Sequence, residues 1–355
     1  MYRIKIVLSI LFTISCTMSI LCSCGPGGQP AEDTEKRVED TEPVSVDLFA
    51  MDTYMTFTAY GENAAEALED ATQSIKHIDE LWSTGMENSQ ISMLNREKKM
   101  TVSPETYELI RRSVEFHEST QGVFDISVYP IMRAWGFTDQ NYRVPSGEQL
   151  KALLAHVHAD RILCGDDGKT VTLQDPEMEI DLGGIAKGYA SDMVMDILRG
   201  HGVEHAIINL GGNVKTLGSK PDGSDWRVGI VDPADESAYV GGVRMQDKAA
   251  ITSGGYQRYF EENGKTYIHI IDLSTGYPAK TGLASVTIIA EDGTMADALS
   301  TSLFIMGREK ATEYWRNHAG QFDVVFVEDD GTVWITEGLE DFYFSEKEFQ
   351  VIERN

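Results

Sequence analysis

Ile180-Asp181-Leu182-Gly183-Gly184-Ile185-Ala186-Lys187-Gly188-Tyr189-Ala190 puts a carboxylate, two adjacent glycines and a lysine at the mouth of a helix. Its apolar spacing continues to Arg199, and Gly200 stops it. Adjacent glycines let backbone approach a ligand closely, and a helix N-terminus offers free N–H groups and a positive dipole end. Lys187 adds a point charge one turn in. The set suits a phosphate or diphosphate, leaving Asp181 for a sugar, a base edge or a metal. The same residues also suit a capped Asp-x-Gly-Gly turn with a surface lysine, so the segment settles the helix before it settles the chemistry.

Outward from this helix, helical and strand patterns mix without strict alternation. Ala64, Ala67, Leu68, Ala71, Ile75, Ile78 and Leu81 recur at helical spacing and predict an amphipathic helix ending near Trp82. Ser103-Pro104 caps and opens a second, running to about Thr120, and Ser146-x-x-Gln149 is a capping box for a third. Val46–Tyr60 reads as one extended opening segment. Hairpins are expected across Asp167-Gly168, Asn263-Gly264 and Asp330-Gly331. Further strands are expected at Ala206–Leu210, Trp226–Val231, Tyr239–Met245, Ala249–Thr252 and Ser285–Ala290, with a helix from about Thr294 to Met306. This pattern predicts an α+β fold, a mixed α/β arrangement of antiparallel-rich sheets and packed helices rather than a doubly wound sheet.

The N-terminus reads as an export signal. Arg3 and Lys5 precede an apolar run from Ile6 to Leu21, too short and wrongly flanked for a membrane span, and small residues follow. Leu21-Cys22-Ser23-Cys24 resembles the lipobox of bacterial lipoproteins. Cleavage after residue 23 would leave a lipidated Cys24 and a membrane-anchored, exported protein. Cys164 would then stand alone, so no disulfide framework is expected. Residues 24–45 are rich in Gly, Pro, Glu, Asp and Thr and read as a disordered tether, about 25 Å end to end. The folded domain is expected over 46–345.

Asp and Glu number 57 against 30 Lys and Arg, a net charge of −27, which becomes −29 once Arg3 and Lys5 leave with the signal. Such a surface repels nucleic-acid phosphates, so no nucleic-acid partner is expected. Any phosphate site must concentrate scarce cations or recruit a metal.

Several standard motifs are missing. Gly183–Gly188 lacks the P-loop spacing, and Gly211-Gly212-Asn213 does not complete a dinucleotide fingerprint. His156-x-His158 has no further residue spaced for zinc. Two other segments carry chemistry. In Gly293-Thr294-Met295-Ala296-Asp297-Ala298-Leu299-Ser300-Thr301, Asp297 and Thr301 are four apart on one helical face. Both are hard oxygen donors and suit Mg²⁺ completed by a carbonyl, waters and substrate phosphates; Asp297 also suits a helix N-terminus. In His269-Ile270-Ile271-Asp272-Leu273-Ser274-Thr275-Gly276-Tyr277-Pro278, a strand histidine precedes a turn. It could be structural or a general base with a pKa near 6.5, adjusted by a nearby carboxylate such as Asp272.

Taken in order, these three segments resemble the ApbE family of bacterial flavin transferases, over about Met51 to Met306. Supporting matches are Met51-Asp52-Thr53, Ser89-x-Ile91-Ser92-x-x-Asn95, Gly122-Val123-Phe124-Asp125, Trp135-Gly136-Phe137, Asn209-Leu210-Gly211-Gly212 and Thr252-Ser253-Gly254-x-Tyr256. The resemblance implies binding of FAD as substrate with Mg²⁺. FMN would pass to a Thr or Ser hydroxyl of an exported or membrane-bound target protein, releasing AMP. It assigns the metal to Asp297, Thr301 and the Gly184 carbonyl. FAD contacts fall to Met51, Val123, Phe124, Asp125, Asp181, Lys187, Ile271 and Asp272, and proton transfer to His269. One departure is that Thr84-Gly85-Met86 stands where the family often carries a flavin-contacting tyrosine. The same residues would serve a Mg²⁺-dependent FAD pyrophosphatase or a non-catalytic FAD-binding lipoprotein.

Overall fold

The computed structural model of the protein describes residues 42–354; the expected signal sequence, Cys24 and most of the expected tether lie outside them. Among the described residues, nine strands form the main sheet: β1 (Val44–Ala50), β2 (Thr53–Tyr60), β3 (His205–Leu210), β4 (Asn213–Leu217), β5 (Ala249–Gly254), β6 (Leu283–Ala290), β7 (Asp323–Glu328), β8 (Val333–Thr336) and β9 (Gln350–Ile352). They lie side by side in chain order, antiparallel except for the parallel β8–β9 pair. The sheet is therefore a meander, interrupted by long insertions that return to the next position. The helices are α1 (Ala64–Trp82), α2 (Gln90–Glu97), α3 (Pro104–Ser119), α4 (Tyr129–Trp135), α5 (Gly147–Leu154), α6 (Ala186–Gly200) and α7 (Gly293–Asn317).

Strand alternation sorts the core into layers. Ile288, Val324 and Phe326 point to the side covered by α7, whereas Ile289, Val325 and Val327 point to the opposite side. There they meet Val228, Ile230 and Val243 of a small sheet built from Trp226–Asp232, Asp235–Met245 and Tyr343–Phe344. Strands buried on both faces read as near-continuous apolar runs, and Val286–Ala290 is buried throughout, its one polar member Thr287 sharing a hydroxyl bond with Thr252 at 2.7 Å. Toward β1–β3, α1 and α6 cover the helical side. Small Ala64, Ala67 and Ala71 on α1 let the helix approach, and Leu68, Ile75 and Ile78 fill the interface. Each fully buried aliphatic side chain contributes roughly 1.5–3 kcal/mol.

The predicted α+β architecture is the one observed; α1, α3 and α6 start and stop within about a residue of expectation, and α5 starts after its expected Ser146 cap. Three differences have physical reasons. Val46–Tyr60 is a hairpin. Its two-residue turn is Met51-Asp52, both with positive φ (51° and 58°), a conformation that costs a side-chain-bearing residue roughly 1–2 kcal/mol and that Asn-Gly would have announced. The helix expected to end at Met306 resumes after Gly307, whose φ of 74° and ψ of 161° break it, because Ala311 and Trp315 supply a second buried stripe. The ordered body also passes both expected bounds: Val44 and Ser45 pair with Ala59 and Thr58, and β9 lies beyond residue 345.

Candidate active site

The Asp181 segment is held by its backbone. Asn95 on α2 clamps Ile180 from both directions, donating to its carbonyl at 2.9 Å and accepting its N–H at 2.7 Å. Asp181 N–H donates to the Ile126 carbonyl (2.8 Å), bringing residues 123–127 alongside. The Asp181 carboxylate accepts the Gly183 N–H at 2.8 Å in an Asx turn. This places Gly184 against the Phe124 ring and starts α6 at Ala186.

The mouth of α6 is not an open phosphate cradle. Ala186 N–H bonds the Leu182 carbonyl at 2.9 Å, and Gly188 N–H donates to Asp297 Oδ2 at 2.8 Å. The positive end of α6 thus receives a carboxylate from α7. Glycine is required at 188, since a side chain there would lie 2.2 Å from the Gly293 carbonyl and 2.6 Å from Asp297 Cβ.

Asp297 is not a cap for its own helix. Asp292 accepts the Met295 N–H (2.9 Å), and Asp192 accepts the N–H groups of Gly293 and Thr294 (2.8 Å each), with buried Lys215 paired to Asp192. Asp297 lies deeper, and its Oδ1 accepts from Asn213 Nδ2 at 3.2 Å. Burial pushes its carboxyl pKa upward, opposed first by the Lys187 charge and then by the bonds from Gly188 and Asn213. A buried carboxylate with one bond on each oxygen keeps lone pairs for a cation. Thr301, one turn on, shares its hydroxyl with Ser253 Oγ on β5 (3.1 Å), which also meets Ser300 Oγ (2.7 Å). Among the described residues no three His, Cys, Asp or Glu side chains form a metal cage. One carboxylate and one hydroxyl are hard oxygen donors of the kind that suits Mg²⁺, which keeps waters and takes its remaining oxygens from substrate phosphates.

His269 sits at a bend just after the strand Lys265–Ile268 rather than inside one. Its N–H and its Nδ1 both bond the Arg258 carbonyl at 3.1 Å. A carbonyl only accepts, so Nδ1 carries the proton and Nε2 keeps its lone pair. Burial, then the charge of Arg258, then that of Lys187 hold the imidazole pKa down to about 4, with the Arg258 carbonyl bond opposing them. The ring is half-buried. Asp272, expected to act on it, instead accepts the Ser274 N–H at 2.9 Å.

Two cations link these parts. Lys187 acts on Asp297 and His269, and Arg258 acts on His269 and Asp181. Burial raises the pKa of Asp181, with the Gly183 N–H and Arg258 lowering it and Asp52 at the β1–β2 turn raising it further. That turn also brings Met51 to this side of the molecule.

A cavity of about 330 Å³ opens beside Val123, Asp125, Asp272, Leu273 and Ile305. Ile305, which lines it, follows Thr301 as Thr301 follows Asp297, at successive four-residue steps along α7. A wider hollow of about 480 Å³ near Asp70 and His201 touches none of the candidate residues. Two expected FAD contacts turn inward. The Asp125 carboxylate is consumed by Ser127 N–H (2.7 Å), Ser127 Oγ, Ala159 N–H (3.0 Å) and His117 (3.2 Å), and it raises the His117 pKa. Ile271 packs into an aromatic core with Trp135 and Phe137. Met86 is 44% exposed in the turn after α1. His156 and His158 bond Asp175 and the Ala155 carbonyl, which accounts for both.

Asn213, Ser253 and Arg258 were not singled out from the sequence. Asn213 follows the Gly211-Gly212 turn, whose positive φ values close the β3–β4 hairpin and deliver it to Asp297. Ser253 lies within the Thr-Ser-Gly match. Arg258 had no signal beyond its charge.

The ApbE family model matches residues 51–326, and the chain belongs to the ApbE family. It is 36% identical to the FAD:protein FMN transferase of Klebsiella pneumoniae (strain 342), over 72% of this chain and 80% of that protein. With the enzyme of the same name from Treponema pallidum (strain Nichols) it shares 31% identity over 94% and 95% of the two chains. The ApbE crystal structure from Thermotoga maritima superposes with a TM-score of 0.79 at 34% identity, covering 86% of this chain and all (100%) of that one. The flavin transferase ApbE of Vibrio cholerae gives 0.75 at 26%, covering 85% and 99%.

Proposed function

We propose that the protein transfers FMN from FAD to a Thr or Ser hydroxyl of an exported or membrane-bound target protein and releases AMP. FMN transfer from FAD to a protein is the activity for which its family relatives are named. The observation that carries the finer reading is Lys187, whose charge bears on both the buried Asp297 and the neutral His269.

The chemistry follows from that layout. The acceptor oxygen attacks the FMN-side phosphorus, its proton passes to His269 Nε2, and the bond to the AMP phosphate breaks. Phosphoryl transfer needs charge neutralisation and positioning more than covalent help. Lys187 and Arg258, whose charges both bear on His269, would meet the diphosphate. Mg²⁺ bound by Asp297, Thr301 and the Gly184 carbonyl would add charge neutralisation there. Asn213 and Ser253 orient Asp297 and Thr301.

Incubation with FAD, Mg²⁺ and a candidate acceptor should leave flavin fluorescence on the denatured acceptor band together with one AMP per flavin. AMP without a fluorescent band would replace this reading with FAD hydrolysis, and neither product would leave a binding protein.

The lipobox supports anchoring through lipidated Cys24, on the exported side of a membrane. Among the described residues no helix is long and apolar enough to cross one. Cys24→Ser should move the protein from the membrane to the soluble fraction of its host; wild-type protein recovered soluble and unlipidated would overturn the anchor.

A further inference from the structure

The segment carrying His269 is gripped on both flanks by the end of α4. Trp135, fully buried, donates from Nε1 to the Gly276 carbonyl at 2.8 Å and meets the Tyr277 ring edge-on at 5.7 Å. On the other flank its ring lies 5.3 Å from Tyr267. Gly136 then turns the chain with φ 77°; a side chain there would lie 2.0 Å from the Asn141 carbonyl, so only glycine serves. The turn delivers Phe137, 3% exposed, edge-on to the His269 imidazole with centroids 6.4 Å apart and planes at 69°. Phe260 backs Phe137 at 5.7 Å.

We infer that Phe137 is a positioning residue for His269, fixing the plane of the imidazole so that Nε2 stays aimed at the acceptor oxygen. The inference rests on the general-base reading given above. Edge-to-face contact at this separation is a preferred aromatic geometry with a defined orientation. On the Nδ1 side the Arg258 carbonyl fixes the tautomer but leaves the ring free to rock about that bond. Phe137 supplies the second point of contact. It also keeps water from one side of the ring, in keeping with the lowered pKa, to which the charges of Arg258 and Lys187 contribute.

The test compares Phe137→Leu with Phe137→Ala. Leucine refills most of the volume but has no flat edge. Both variants should bind FAD with a dissociation constant within about threefold of wild type. Single-turnover transfer should fall about 10–100-fold in both, the scale on which small misplacements of a reacting group act. Thermal stability should recover in Phe137→Leu while the rate does not, and NMR titration of the His269 ring should move upward from about 4. If leucine restores rate and stability together, or alanine leaves the rate intact, Phe137 only fills space. His269→Ala in the same assay keeps the two ideas apart. Full transfer by that variant would sink the general-base reading, whereas the ring titration in Phe137→Leu reports on positioning without any turnover.

Discussion

Asp297→Asn should abolish most FMN transfer, by roughly 10²–10³-fold or more, the worth of a major electrostatic contact in the transition state, and should leave the protein as stable as wild type or more so. The two halves of this expectation come from one observation. Burial raises the carboxyl pKa of Asp297, so its ionised form is a cost to the metal-free fold. The asparagine amide oxygen can still accept the Gly188 N–H. A half-turn of the Asn213 amide lets its oxygen accept from the new NH₂ group. What disappears is the negative charge. Asp297→Ala, by contrast, strands both donors and should cost about 1–3 kcal/mol. Transfer rates across a Mg²⁺ titration, together with thermal midpoints, test this directly. Near-normal transfer by Asp297→Asn with unchanged Mg²⁺ dependence would reduce Asp297 to a tie between α6 and α7.

How much of this was legible in the sequence depends on whether the signal was local. The α1 stripe, the caps at Ser103 and Ser146 and the Asn263-Gly264 turn are short-range patterns, and each gave its element. The three chemical segments were also legible, but their joint was not. Gly188 reads as one glycine in a helix, and only the fold reveals that it is there because Asp297, 109 residues on, must reach its N–H. That contact also reverses the first expectation for the segment, since the helix end that looked open to phosphate is filled by the protein's own carboxylate. Asp125 and Ile271 follow the same logic. Asp125 lines the cavity, yet its carboxylate is used to shape a loop, and the Ile271 side chain belongs to the core. Arg258 was invisible because its effect runs through a backbone carbonyl, which any residue supplies, and through a charge whose partners are set by tertiary structure.

His269→Ala should retain FAD affinity and lose transfer by roughly 10²–10⁴-fold, the usual contribution of a positioned general base. The pH dependence gives the sharper test, and the structure changes its expected form. A histidine near its ordinary pKa would lose its free base as pH falls through about 6.5. Here burial and two cations hold the ring neutral to about 4, so in the free enzyme Nε2 remains a competent acceptor well below neutrality. The acid limb of kcat/KM, which reports the free enzyme, should therefore lie near pH 4. A base that weak is poorly matched to a hydroxyl at neutral pH. Bound FAD alters the balance, because its anionic diphosphate would lie against the same Lys187 and Arg258 charges that depress the ring. Neutralising them favours the imidazolium, so the acid limb of kcat, which reports the enzyme–substrate complex, should sit above that of kcat/KM. Arg258→Gln removes one of those cations and should raise the free-enzyme limb while narrowing the gap between the two profiles. A structural histidine predicts none of this. Coincident limbs that persist in His269→Ala, with FAD affinity and transfer falling in proportion, would mean that the proton goes elsewhere and that the Asp297 metal site activates the hydroxyl unaided.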